Sequence, residues 1–293
     1  MNLIEKQISE RLKCTFKYYI RHAIEHALAQ ENENNILQTI INLQASLELL
    51  SKLYVLQYEG WKGIVDEKLH NSTEAEILGA IADGSLKTTP YWKSKEIVCK
   101  DIYLNEDDSA LLDNFHNLRN QIMHLGITNF NREIQNEAIW FIVRIVHQLD
   151  WQDTLPLSEQ YLSNSLKTLL GQELYKKLIT NSCYVDEAVD RAYELFPNDV
   201  KYCIECNNEA WALNNDGYRI CLVCGYRCEE GAIGFADCPY CLSKKAVVYD
   251  ALNIGSNEYI NGMCVSCKKV VLVSQCPICD NVFRYPGNCS YCK

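Results

Sequence analysis

Phe115-His-Asn-Leu-Arg-Asn-Gln-Ile-Met-His-Leu-Gly126 places an arginine, an asparagine and a histidine within six residues of a helical pattern. At about 100° per residue, Leu111, Phe115, Leu118, Ile122 and Leu125 fall within about 80° of one another, the width of a core stripe. Asn120 and His124, four residues apart, fall on the opposite side, one above the other, with Arg119 on the flank. Upstream, Asn105-Glu-Asp-Asp-Ser109 supplies N-cap candidates and first-turn acids, and Gly126 is the expected stop. The stretch therefore predicts a long helix with one buried face and a polar set carried on the other.

Working outward, the same three-to-four spacing recurs. Leu3, Ile4, Ile8, Leu12, Phe16, Tyr19, Ile20, Ala23, Ala27 and Leu28 predict a helix over 2–30, and Ile36, Ile40, Leu43, Leu47, Leu50 and Tyr54 another over 36–58. Glu48 lies in that second helix, as an exposed carboxylate or facing the motif. A shorter helix is expected over 73–82, ended by Asp83-Gly84, and a further long one over 132–149. Four long helices in the first 151 residues predict a mainly α fold, a helical bundle. Residues 152–200 read as a helical extension or connector, with a break at Pro156 and helices over 157–179 and 186–196. His22 and His26, one turn apart, have a spacing that suits a metal, although a plain helix-surface or core pair accounts for them without one. Between the helices, Tyr91, Trp92 and Tyr103 interleave with Lys93, Lys95 and Lys100. This segment reads as a packed connector or as a contact for single-stranded RNA.

From residue 201 the chain changes character. Six Cys-x-x-Cys pairs follow: Cys203/Cys206, Cys221/Cys224, Cys238/Cys241, Cys264/Cys267, Cys276/Cys279 and Cys289/Cys292. In sequence order they make three four-cysteine sets, with 14, 22 and 9 residues between the halves. One tight turn brings two thiolates to about 2.3 Å of a single zinc ion and a second turn completes the tetrahedron. About three structural Zn²⁺ ions are expected, with iron–sulfur ligation as the smaller alternative. Catalytic zinc needs an open coordination position, and this region has no histidine at all. Cys228 offers an alternative ligand to Cys224, whereas Cys14, Cys99 and Cys183 read as ordinary thiols. The β-prone runs between the pairs resemble tandem zinc ribbons, at about 203–224, 238–267 and 276–292.

The net charge is −10. From residue 201 onward nine Lys+Arg balance nine Asp+Glu, so the deficit belongs to residues 1–200. Three zinc ions on twelve thiolates would add about −6 to the neutral cysteine-rich part. The charge balance argues against a broad grip on the phosphate backbone, because that term needs clustered cations, and any nucleic-acid contact is expected to be local. The charged, amphipathic N-terminus lacks a secretory h-region, and no apolar run approaches the roughly 18 residues of a membrane span. A cytoplasmic protein with reduced thiols and no membrane partner is expected.

Arg119-Asn120-x-x-x-His124 resembles the Arg-x(4–6)-His motif of the HEPN superfamily, and the resemblance covers about residues 1–150. It implies a HEPN-like helical bundle, metal-independent endoribonuclease activity, RNA as substrate, and a homodimer pairing two motifs in one cleft. It also implies a setting of toxins or antiviral defence. The tyrosine that follows the histidine in some family toxins is absent here, so its regulation does not carry over. On chemistry alone, His124 is suited to move a proton at a ribose 2′-OH or a leaving 5′ oxygen. Arg119 is suited to stabilise charge on the phosphate, and Asn120 to orient phosphate or imidazole. The alternative is a non-catalytic HEPN module for dimerisation, with ribbons that bind nucleic acid or a protein partner. A sequence-specific DNA-binding regulator is a third class, weakened by the neutral tail.

Overall fold

A computed structural model describes residues 2–30, 32–101, 106–125, 134–142, 165–197, 199–213 and 217–292. Gly126 as a helix stop, Tyr103, the 143–149 end of the fourth long helix, and the break at Pro156 lie outside these residues. The chain divides into two compact units, one of residues 1–157 with 168–187 and one of 158–167 with 188–293.

The helical unit begins with α1 (Leu3–Ala27) and α2 (Glu33–Glu59). Asn2 starts α1 with a capping box, its side chain taking the Glu5 N–H while the Glu5 carboxylate takes the Asn2 N–H. Phe16, Ile20 and Ala23 of α1 and Ile40, Leu43 and Leu50 of α2 are fully buried. One end of the pair closes over a cluster in which Ile4, Ile8, Val55 and Leu56 meet Ile64, Val65, Ile77 and Ile81. The last two residues belong to α3 (Glu74–Asp83), which Thr73 caps and Gly84 ends in the left-handed conformation, φ 79°.

The lysine and aromatic segment is a helix, α4 (Tyr91–Asp101), and not a loop. Tyr91 is buried, Lys93 pairs with Glu67 at 2.8 Å, and Lys95 pairs with Asp113. Of that segment's described cation–aromatic set only Trp92 is well exposed, and Lys93 and Lys95 are held in ion pairs. Then come α5 (Glu106–Leu125) and α6 (Ile134–Phe141). Further on are α7 (Ser165–Leu170), α8 (Gln172–Ile179) and α9 (Ser182–Leu195), α7 and α8 parted by Gly171 at φ 76°.

Where the spacing predicts three ribbons, the strands form two sheets. A four-stranded antiparallel sheet joins β1 (Val200–Lys201), β2 (Trp211–Leu213), β3 (Tyr218–Cys221) and β4 (Arg227–Glu229). A five-stranded antiparallel meander joins β5 (Ile233–Ala236), β6 (Val247–Asp250), β7 (Ile260–Cys264), β8 (Val270–Gln275) and β9 (Val282–Arg284). The second and third cysteine sets share the meander, because β8 and β9 continue the pairing past the second set. Its core is Cys238, Val247, Tyr249, Cys264, Val271 and Val273. The Tyr249 ring lies over Gly234, where a Cβ would stand 2.1 Å from ring carbon Cζ. The described residues contain no helix long and apolar enough to cross a membrane.

Candidate functional site

The four thiols in each set lie within 4.8 Å of one another, positioned to hold a metal ion: Cys203, Cys206, Cys221, Cys224; Cys238, Cys241, Cys264, Cys267; and Cys276, Cys279, Cys289, Cys292. Sulfur–sulfur distances are 3.6 Å for Cys203–Cys224 and for Cys206–Cys221, and 3.7 and 3.6 Å for Cys238–Cys267 and Cys241–Cys264. In the third set Cys276–Cys292 and Cys279–Cys289 are 3.8 and 3.5 Å apart. A tetrahedron with metal–sulfur bonds of about 2.3 Å has edges of about 3.8 Å, so the donor sets fit zinc. Such separations are far from a disulfide, and the cysteines are free.

One local device builds these sites. The residue after the second cysteine has positive φ in five pairs: Asn207, Gly225, Leu242, Lys268 and Asp280. Each donates its N–H to the carbonyl of the first cysteine, at 2.8–3.0 Å, closing the turn that aims both thiols inward. The first cysteine's own N–H is taken five residues on, by the carbonyls of Asn208, Tyr226, Ser243, Lys269 and Asn281. Non-glycine side chains hold this conformation at a cost. Hydrogen bonds from Ser243 hold the Cys241 thiol down to about 6, and the Asn281 N–H does the same for Cys279. Both are thereby poised as thiolate ligands. Cys228 lies outside the set on β4, opposite Arg219, and burial pushes its thiol up to about 12. The fourth thiol brought to the first site is Cys224.

The polar set lies at the C-terminal end of α5. Along the helix Asp108, Leu112 and Phe115 are buried, so the core face is turned from the Leu111 stripe toward Leu112, and Arg119 and Asn120 are half-buried. His124 is exposed in the last turn. Arg119 Nη1 donates to Asn120 Oδ1 at 3.0 Å, and Asn120 Nδ2 donates to His116 Nε2 at 3.0 Å. A neutral ring accepts at one nitrogen only, and its other nitrogen, Nδ1, faces the Gln44 amide nitrogen 3.4 Å away on α2. Among the described residues no hydrogen bond joins His124 to Arg119 or Asn120.

His116 is the member the spacing of Arg119 and His124 does not reveal. It tilts against Tyr91 with ring centroids 5.5 Å apart, and burial holds the Tyr91 hydroxyl well above its ordinary range, tempered by Gln44. Its one signal in sequence is position, four residues before Asn120 on the same helical face. Glu48 is taken by Lys52 at 2.8 Å and does not join the set. His22 meets Glu25 at 3.2 Å, and His26 meets Asn35 at 2.9 Å.

No family model matches the chain, and comparison with curated proteins and with solved structures gives no match.

Proposed function

We propose that the chain is a HEPN-type, metal-independent endoribonuclease, with three structural zinc ions in its C-terminal sheets. The reading rests on the last turns of α5, where Arg119 is half-buried and hydrogen-bonded to Asn120 while His124 stands exposed one turn beyond. In this reading His124 removes the 2′-OH proton and O2′ attacks phosphorus. The P–O5′ bond breaks, and the leaving oxygen takes its proton from the His124 of a second copy. Arg119 stabilises the charge on the phosphoryl oxygens. The products are a 2′,3′-cyclic phosphate and a 5′-hydroxyl, and a homodimer supplies both histidines.

The test is cleavage of end-labelled RNA by the zinc-loaded chain freed of other metal, beside Arg119→Ala and His124→Ala. Loss of cleavage in both variants, with cyclic phosphate ends from the parent, is expected. Equal cleavage by all three would remove the site.

The adaptor reading has one observation of its own. Both polar ends of the Asn120 amide are already engaged, by Arg119 and His116, which ties the motif inward to α2. A non-catalytic module would bind RNA without turnover and be indifferent to His124→Ala.

A further inference from the structure

The second cysteine set carries an exposed ring with two cations on it. Tyr240, inside Cys238-Pro-Tyr-Cys241, is 48% exposed. Lys269 Nζ lies 4.9 Å from its ring centroid and Arg284 Cζ 5.4 Å. The backbone of both residues is held in place: the Lys269 carbonyl closes the Cys264 turn at 3.0 Å, and Arg284 is paired with Val273 at the end of β9. Neither has a carboxylate partner among the described residues. Asp237 of the same turn is taken by Lys244 at 2.6 Å and by the Lys245 N–H, Asp250 by Asn253, and Glu258 by the Tyr285 hydroxyl.

Two cations without a carboxylate partner thus share one half-exposed aromatic ring. Each gains from the ring, and together they offer an anionic group two positive partners beside a half-open aromatic surface. The ligand that meets both features carries a phosphate and a flat base. We propose that Tyr240, Lys269 and Arg284 form a binding site for single-stranded RNA, with a base stacked on the tyrosine or the guanidinium and the backbone between the cations. A duplex presents no free base face to such a site, and two cations are too few to hold it by charge alone.

The site stands independently of catalysis, and so does its test. The probe is a fluorescein-labelled, 2′-O-methyl oligouridylate, which lacks the 2′-OH needed for cleavage; it is titrated by anisotropy with the zinc-loaded full chain at several salt concentrations. Two phosphate contacts predict a slope of log K against log salt near about −1.4. Lys269→Gln and Arg284→Gln each remove about 0.7 from it. Tyr240→Leu weakens binding by roughly five- to a hundredfold with the slope unchanged, while Tyr240→Phe retains it. All three side chains are outside the core, and unchanged zinc content verifies that each variant is folded. Absence of binding by the parent chain, equal binding by all variants, or tighter binding of the matched duplex would overturn the proposal.

Discussion

Exchanging Cys224 for serine, with Cys228→Ser beside it, separates metal ligation from simple burial. The two cysteines are four residues apart and both buried. Cys224 Sγ lies 3.6 Å from Cys203 Sγ, against the tetrahedral edge of about 3.8 Å. Cys228 projects from β4 at a position paired with Arg219. The first sheet has strands of only two to four residues. A structural zinc ion contributes on the order of 10–16 kcal/mol in apparent binding free energy, as much as the whole stability of an ordinary domain. Cys224→Ser should therefore cost the sheet its ion and its fold, whereas Cys228→Ser replaces a thiol that touches no metal and costs about 1 kcal/mol. Zinc is counted by mass spectrometry after dialysis against a competing chelator, with the near-ultraviolet signal of buried Trp211 reporting the first sheet. Three ions in the parent, two in Cys224→Ser and three in Cys228→Ser are expected. Two in Cys228→Ser and three in Cys224→Ser would refute the ligand assignment.

Other substitutions test other parts of the molecule. Gly234→Ala forces a methyl into the Tyr249 ring and should destabilise the meander by about 1–3 kcal/mol in urea unfolding, while Gly231→Ala, with open space around it, should be neutral. Thr73→Ala removes the cap of α3 and should cost about 1 kcal/mol, read as a lower melting temperature. His116→Ala strands the amides of buried Gln44 and Asn120 and should cost about 1–3 kcal/mol, with a parallel fall in RNA cleavage. Excess chelator should abolish the near-ultraviolet signal of Trp211 while leaving the far-ultraviolet helical signal of the α1 and α2 pair, whose core contains no metal ligand.

The long helices and the metal sites were legible because each rests on local periodicity. The stripe from Ile36 to Tyr54 and the Cys-x-x-Cys pairs needed no distant partner to be recognised. What stayed hidden depended on contacts far apart in sequence. The alternation of Tyr91, Trp92 and Lys93 gives no helical stripe of its own, and α4 forms because Tyr91 is buried beside His116 and Lys95 meets Asp113. His116 itself is identified by Gln44, 72 residues away. The rotation of the α5 core face follows from the burial of Asp108 and Leu112, which a count of apolar residues alone places outside the stripe. Likewise, six alike Cys-x-x-Cys pairs suggest three separate modules, and only the pairing of β8 with β9 makes the last two sets one sheet.

The strand β8 leaves the turn of Cys264–Cys267 and ends one residue before Cys276. Six residues, about 20 Å of extended chain, thus carry a cysteine set positioned for a metal ion at either end. Loss of order at one set should therefore reach the other through the shared strand ladder, whereas the first set has a sheet to itself. Ion uptake should therefore be stepwise in an uneven way, one ion alone and two as a couple, so that a chain with two ions holds the couple or lacks half of it. Metal scarcity would be sensed in whole sheets, not in single sites.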